Sequence, residues 1–352
     1  MGGVRLAESL LAGARYADMI LERMGEPVSK AATPLSPTGF GRMLRELMSK
    51  LRPIAVDKER KAILKALEEL DVNWPTLSED KKAKVIAAAS KAIADIPSIV
   101  ITPVVEELVL NAENVVVLTK RASAKQYGFR ISPSFNTTDK KIVDHAANSQ
   151  GNYITDRFKN RAEVFSVKAR EIISNGLEQG FGRKDIGALL GAKLRDPALR
   201  SADAYWEAVA SIHIARSRSW GQLSAFTAAN IEWFVWNSVL DEATSEGCRF
   251  LNGRRFSTAK AAQRHMEVEG SSDPKAAQNL QPFIQKGRDA DGNEFLYVTR
   301  NDRRVRVADV EQSGMGVSDK VGKYTRVHGN LEGLGVQCPP SHGNCRSQID
   351  PA

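Results

Sequence analysis

The chain has 352 residues, which is more than one ordinary domain needs and fits two or three domains. An apolar content of 42% and a mean hydropathy of −0.32 exclude collagen-like, disordered and membrane-embedded chains as descriptions of the whole. The net charge is +8, with 22 basic against 18 acidic residues in 1–150 and 28 against 24 in 151–352. This even spread allows loose contact with DNA but does not predict a dedicated nucleic-acid surface.

The sequence pattern predicts neither a membrane span nor an N-terminal signal peptide. No stretch reaches about 18 uncharged apolar residues, and the first 24 residues carry charges at helical spacing instead of a signal peptide. We therefore expect synthesis in a cytoplasm and no membrane partner. Three cysteines, an odd number in a long chain, argue against a disulfide framework.

The first hundred residues predict short helices broken by prolines. Pro53 separates two of them, and Ser78 is a suitable N-cap for an alanine-rich helix that follows it. The helical patterns cover 4–24, 39–51, 57–70 and 79–94.

The middle of the chain predicts a helical platform. Pro103 is expected in the first turn of a helix that runs to about Arg121. The segment Asn136–Asp139 is expected to cap a helical stretch that resumes near Asn152 and ends at Gly180–Gly182. A short amphipathic helix over 183–190 and a longer one over 203–230 complete the region.

The pattern changes at Ile231 from helix to strand. The aromatic and β-branched segment Ile231–Trp236 predicts one strand, and Glu294–Thr299 predicts another. Asn301 and Asp302 supply turn residues before the alternating segment Arg303–Val307, which predicts a hairpin.

The expected fold class is therefore α+β. A mainly helical N-terminal two-thirds is followed by a small α+β C-terminal unit with a short antiparallel sheet. The expected regions are a helical, partner-facing segment over 1–100, a helical platform over 101–230 and an α+β unit with an inserted hairpin over 231–352.

The cysteines and one histidine suggest a metal site. Cys338, His342 and Cys345 lie in one short loop near the C-terminus, and Cys248 lies in the same α+β region. Soft ligands at such spacing suit tetrahedral zinc, so the four residues are candidate ligands of a structural zinc. The alternative is three buried thiols and a loop histidine without metal.

Three segments form an ordered set: Trp236–Asp241, Cys248–Gly253 and Pro339–Arg346. Together with the helical lead-in Ile212–Ser217, they resemble the Mu F-like minor head proteins of tailed bacteriophages, the phage head morphogenesis family. The resemblance covers about residues 140–350. The chain departs from the family pattern at Leu251 and at Ser347, where that family often has cysteine.

The resemblance implies a structural virion protein and not an enzyme. It would act in head morphogenesis at the capsid interior or portal vertex and contact the portal protein, other capsid or scaffold proteins and double-stranded DNA without sequence preference. The family's structural motif falls on Trp236, Asp241, Gly253, Pro339, Pro340 and Arg346.

Two other functions are alternatives to a structural virion protein. The cysteines and His342 could hold a catalytic zinc with Asp241 as a base, or the chain could be a toxin-like effector that carries this domain. The chain ends seven residues after Cys345, so an effector's activity would have to lie in residues 1–100.

Four arginines are candidate DNA contacts: Arg300, Arg303, Arg304 and Arg306. They lie around the turn of the predicted hairpin and would form a phosphate-contacting ribbon. The alternative is a solvated face of the sheet.

The topology of the α+β unit gives two geometric expectations. Cys248 should lie near His342 and Cys345, with Cys338 close enough to join them, because the two halves of one small unit must be tied together. Arg346 should bind Asp241 or a nearby carbonyl, since its planar guanidinium suits bidentate acceptors.

Overall fold

The computed structural model describes residues 33–58, 61, 76–144, 167, 171–172, 175–176, 179 and 183–352. These residues divide into two compact units. One unit holds the described residues of 33–47, 108–144 and 208–352, and the other holds the rest. The division into three consecutive regions stays a prediction.

Helices dominate the first two-thirds of the described chain. In chain order they are α1 (Pro37–Leu51), α2 (Glu79–Ala94), α3 (Ile96–Tyr127), α4 (Arg183–Ala228), α5 (Glu246–Leu251), α6 (Thr258–Glu269) and α7 (Pro274–Leu280). Among the residues described, no helix is long and apolar enough to cross a membrane. The predicted helix over 4–24 lies outside the described residues.

Prolines break these helices less than the sequence predicts. After α1 the chain continues through Pro53 as a π-helical turn, Arg52–Val56, where we expected a break. The prediction that Pro103 opens a helix is also wrong, because α3 begins at Ile96 and Pro103 lies inside it. An interior proline removes one backbone hydrogen bond. Burial of the neighbouring Val104 offsets part of that cost.

The two helices expected over 183–190 and 203–230 are one continuous helix, α4. The segment between them is rich in alanine, leucine, lysine and arginine, which favour helix, and the chain stays helical even through Gly191 and Pro197. The glycines at 180 and 182, predicted to close the preceding helix, lie outside the described residues.

Asn136 begins a helical segment over 137–144 with a reciprocal cap. The Asn136 side chain accepts the Asp139 N–H (2.9 Å), and the Asp139 carboxylate accepts the Asn136 N–H (3.0 Å). Asp139 also accepts from Lys120 Nζ (2.7 Å) and Trp220 Nε1 (3.1 Å), which joins this segment to α3 and α4. The helix thus begins directly at the cap, earlier than the sequence predicts.

The C-terminal part contains two antiparallel sheets, which confirms the α+β fold class. The strands are β1 (Trp233–Asn237), β2 (Arg255–Ser257), β3 (Gln285–Arg288), β4 (Glu294–Arg300), β5 (Arg303–Gln312), β6 (Lys323–Thr325) and β7 (Gln348–Pro351). The first sheet has the order β2–β1–β7, and the second has the order β3–β4–β5–β6.

The first sheet joins the two ends of the C-terminal region. Trp236 of β1 pairs with Ile349 of β7, and Phe234 pairs with Phe256 of β2. All four side chains are buried and belong to one core that also contains residues of α3, α4 and α5. Burial of this apolar surface stabilises the join.

The second sheet contains the predicted hairpin. Residues Asn301 and Asp302 have φ angles of 49° and 61° and form the turn between β4 and β5. Positive φ at both turn residues matches the right-handed twist of the paired strands. The inner side chains Leu296, Val298 and Val307 are fully buried in the same core.

Candidate metal centre

Short elements position each side chain of the centre. Ser245 caps α5, and its hydroxyl accepts the Cys248 N–H, which fixes Cys248 in the first turn. His342 and Cys345 lie in the closing loop, residues 338–347, which leads directly into β7. Because β7 pairs with β1 and α5 follows β1, the loop lies against α5.

Cys248, His342 and Cys345 form a compact group, which we call the Cys–His–Cys cluster. The sulfurs of Cys248 and Cys345 are 3.7 Å apart, and Cys248 Sγ is 3.1 Å from His342 Nε2. The ligand atoms of the three residues all lie within 4.8 Å of one another. The predicted proximity of Cys248 to the closing loop is confirmed, and the cluster could hold a metal ion.

The two thiols differ in acidity. A hydrogen bond from Cys345 lowers the pKa of Cys248 to about 6 against the opposing effect of burial, and hydroxyl groups of neighbouring serines lower it further. Burial raises the pKa of Cys345 well above its ordinary value, and its bond to Cys248 adds to this. Metal binding requires thiolates, so a bound cation would displace the remaining thiol proton.

The ring of His342 is oriented for ligation. Its Nδ1 faces the carbonyl oxygen of Gly343 at hydrogen-bond distance, and a carbonyl only accepts. Nδ1 must therefore carry a proton, and Nε2 is the nitrogen that faces Cys248 and is positioned to bind a metal. This second-shell contact is the usual way in which proteins fix a metal-binding imidazole.

Serine hydroxyl groups surround the Cys248 sulfur, and the sequence did not point to them. Ser341 Oγ and Ser347 Oγ each lie 3.3 Å from Cys248 Sγ, and both serines are buried. Ser238 Oγ bonds the Cys248 carbonyl (2.8 Å) and lies 3.2 Å from Ser347 Oγ. The only sequence signal for this shell was the serine at 347, where the family often has cysteine.

Cys338 lies outside the Cys–His–Cys cluster, so the structure brings together three of the four expected ligands. Its thiol is buried and lies 3.7 Å from Gln281 Nε2, which also bonds the Cys338 carbonyl (3.0 Å). Burial raises the pKa of Cys338 to about 12, which favours the neutral thiol. Gln281 is the residue that directly follows α7, so the Cys338 thiol contacts the end of that helix.

Arg346 binds Asp241, as the sequence predicts. Its Nη2 lies 2.7 Å from Asp241 Oδ1. Burial alone would raise the pKa of Asp241, but the hydrogen bond and charge of Arg346, with bonds from Thr244 and the Ala243 N–H, lower it below its ordinary value. Asp241 is thus an ionised anchor for the closing loop.

Two residues of α4 hold the chain between the cluster and β7. Arg218 Nη2 donates to the carbonyls of Arg346 (2.9 Å) and Ser347 (2.5 Å). Gln222 bonds both the carbonyl and the N–H of Ile349. These buried contacts fix the position of the closing loop, and the sequence did not identify them.

The remaining residues of the predicted structural motif lie around the cluster. Trp236 is 1% exposed, and its indole N–H bonds Ser238 Oγ (3.0 Å). Gly253 has a φ of 77° at the turn between α5 and β2, a conformation that favours glycine, and its N–H bonds the Trp236 carbonyl. Pro339 and Pro340 are buried in the closing loop.

The four candidate DNA-contacting arginines do not share one face of the hairpin. Arg300 pairs directly with Arg303, so both lie on one face, whereas Arg304 and Arg306 lie on the other. Arg300 donates to the Gly333 carbonyl (2.7 Å).

On the second face, each arginine covers an aromatic ring. The Arg304 guanidinium lies 4.9 Å from the Tyr297 ring, and that of Arg306 lies 4.5 Å from the Phe295 ring. Arg306 also forms an ion pair with Asp309. A partner's phosphates would therefore have to compete with contacts that already occupy Arg306.

The fold and the cluster together define an α+β protein with a buried Cys–His–Cys group that could bind a metal. Comparison of the chain with protein-family models, with curated proteins and with solved structures gives no match.

Proposed function

We propose that the chain is a minor structural head protein of a tailed bacteriophage or a prophage-derived particle, which acts in head morphogenesis at or near the portal. The observation that carries the proposal is the convergence of the ordered motif. Residues from its three segments meet in the Asp241–Arg346 ion pair and the Cys–His–Cys cluster, and the strand that follows the third segment, β7, pairs with β1. Through these contacts the motif residues join the C-terminal loop to the segments that follow β1.

We propose zinc as the ion of the cluster. Two sulfurs bound to one tetrahedral zinc at ~2.3 Å stand about 3.8 Å apart. The observed separation of the Cys248 and Cys345 sulfurs is 3.7 Å. His342 Nε2, at 3.1 Å from Cys248 Sγ, would move outward by about half an ångström to reach its own ~2.0 Å bond.

The burial of the two cysteine ligands favours a structural role for the proposed zinc. Cys248 is 3% exposed and Cys345 is fully buried, and serines 238, 341 and 347 close the surroundings. A structural zinc contributes its binding free energy to folding. It would therefore hold the closing loop against α5.

One observation favours a second candidate, a zinc enzyme. The cluster offers three protein ligands, and catalytic zinc sites keep their fourth position open for water or substrate. A cobalt-substituted sample separates the two. If azide or cyanide changes the cobalt absorption spectrum, the fourth position is accessible and the enzyme is favoured; an unchanged spectrum favours the structural site.

The experiment that tests the head-protein proposal is a composition analysis of purified particles. Density-gradient fractions of DNA-filled heads should contain the chain at few copies per particle, together with portal and major capsid proteins. Its absence from heads that contain those two proteins would refute the proposal. Genes for a portal upstream and a scaffold or capsid protein downstream would support it.

Contact with packaged DNA is a separate part of the proposal and has its own test. Binding should fall steeply with salt and show no sequence preference, because only phosphate contacts are available. Joint replacement of Arg303, Arg304 and Arg306 by alanine should weaken binding equally for all sequences, whereas Arg254→Ala, outside the hairpin, should leave it unchanged. Unchanged binding of the triple variant removes this surface from consideration.

A further inference from the structure

We propose that Cys248 and Cys345 are a redox pair that peroxide oxidises to a reversible disulfide. Formation of that bond removes both sulfur ligands from the metal, so oxidation releases the ion. The release of zinc rests on the proposed zinc centre, whereas the pairing of the two thiols rests on their geometry alone.

The geometry selects this pair among the three cysteines. The two sulfurs, 3.7 Å apart, need to approach by less than 2 Å to reach the ~2.05 Å length of a disulfide. Both already point at each other from α5 and the closing loop. Cys338 contacts Gln281 instead and lies outside the group of converging ligand atoms.

The surroundings decide which sulfur reacts first. The hydroxyls of Ser341 and Ser347 both lie within hydrogen-bond distance of Cys248, and a hydrogen-bonded thiolate is the reactive form of cysteine. Cys345 is fully buried, so it is suited to resolve the product and not to meet the oxidant.

Access limits the kind of oxidant. Cys248 is 3% exposed, and the neighbouring His342 is half-buried, so little of the sulfur is open to solvent. A small peroxide can reach such a position more readily than a bulky disulfide such as oxidised glutathione.

The reaction balances in two steps. The Cys248 thiolate attacks one oxygen of hydrogen peroxide, so that an S–O bond forms, the O–O bond breaks and hydroxide leaves to become water. The Cys345 sulfur then attacks Cys248, so that the S–S bond forms, the S–O bond breaks and the departing hydroxide takes the Cys345 proton. Two thiols are oxidised, one peroxide is reduced to two waters, and a thiol reductant reverses the change.

Such a pair fits a protein that changes redox environment. Thiols persist in the reducing cytoplasm, where the centre would hold metal, and disulfides persist outside the cell. A particle released from its host makes this passage. The closing loop would therefore stay tied to α5 in both environments.

The experiment oxidises the full-length chain with hydrogen peroxide, both metal-free and zinc-loaded, and maps peptides by mass spectrometry without reduction. We expect a Cys248–Cys345 linked peptide, with Cys338 still a thiol. Oxidation should be slowed about tenfold when free zinc is ten times its Kd, because only metal-free protein reacts. One zinc should be released per disulfide, as measured with a chromogenic chelator.

Variants separate the pair from nonspecific oxidation. Cys338→Ser should form the same link at the same rate, whereas Cys345→Ser should leave Cys248 as a sulfenic or sulfinic acid. A link that contains Cys338, or thiols that stay reduced under conditions that oxidise the urea-unfolded chain, would overturn the proposal. A Cys248–Cys345 link in a chain that never binds zinc would support the redox pair and refute the zinc centre.

Discussion

The two C-terminal sheets are both antiparallel but are held together in different ways. In the sheet of β2, β1 and β7, paired residues come from distant parts of the chain, as in the bond between Asn237 and Asp350, 113 residues apart. In the sheet of β3 to β6, each strand pairs with the next one along the chain, and exposed ion pairs such as Lys323–Glu311 line its surface.

This difference assigns separate tasks to the two sheets. The first sheet closes the unit through buried side chains, so its stability depends on a few contacts that nothing nearby can replace. The second sheet forms from local hairpins, whose loop-closure cost is small. Substitutions should therefore act strongly in the first sheet and weakly on the surface of the second.

The largest effect is expected for Trp236→Ala in β1. Its side chain is 1% exposed, and removal of a buried indole costs about 3–5 kcal/mol. Urea denaturation followed by circular dichroism measures the loss. The matched control is Trp233→Ala in the same strand, because Trp233 is 39% exposed and its truncation should cost clearly less than that of Trp236. Equal losses would mean that β1 does not close the core as described.

The next largest effect is expected for Arg249→Met in α5, because Arg249 bonds segments that flank both sheets. The buried Arg249 donates to the carbonyls of Thr244, Asp241 and Lys320. Arg249→Met keeps the stem but leaves these acceptors without their donor, which should cost about 2–3 kcal/mol in the free energy of unfolding. The exposed Arg303 provides the control, since Arg303→Met should leave the urea midpoint nearly unchanged. If both variants unfold at the same urea concentration, Arg249 does not link the sheets.

Local features of the second sheet could be predicted from the sequence. Asn301 and Asp302 favour the left-handed conformation, and the alternation in β5 sets which side chains face the core. The same holds for the cap at Asn136, whose two bonds join residues only three positions apart. Such contacts form between residues that are close in the chain, so they can be predicted from local sequence patterns.

Long-range features could be predicted only where a motif linked them. The ordered motif led to Cys248 beside the closing loop and to the Arg346–Asp241 pair. It gave no sign of Arg218, Gln222 or the serine shell, because such residues become neighbours only after β7 pairs with β1. The misplaced helix start at Pro103 has a related cause, since burial outweighed the local cost of proline.

A smaller, pH-dependent effect is expected for Asp241→Asn beside the first sheet. Because the pKa of Asp241 is lower in the folded chain than in the unfolded one, its stabilising effect is present above the unfolded value and is lost as pH falls through the folded value. Both side chains of the pair are partly exposed, so the difference between wild type and variant should be about 1 kcal/mol at pH 6.

Urea titrations of both proteins from pH 7 to pH 2.5 measure this difference. It should shrink as pH falls below about 4, near the ordinary pKa of aspartate, and continue to shrink toward pH 2.5. Other titrating groups are common to the two proteins and cancel. A difference that stays constant over the whole range would show that Asp241 does not act through its charge.

The smallest effect is expected for Glu294→Gln on the second sheet. Glu294 pairs with Lys286 (2.6 Å) and Arg288 (3.0 Å) on an exposed surface. Surface ion pairs contribute about 0–1 kcal/mol, and salt screens them. Thermal melts at low and high salt should therefore differ little between variant and wild type. A loss of stability as large as that of Trp236→Ala would show that the two sheets do not differ in the way described.

The most direct test of the account is zinc content measured together with thermal stability. We expect about one zinc per chain, a melting temperature that falls on chelation and recovers with zinc, and loss of both properties in Cys345→Ser. Cys338→Ser should behave like wild type because its thiol lies outside the cluster. A folded chain that binds no zinc and melts at the same temperature with or without chelator would contradict the account.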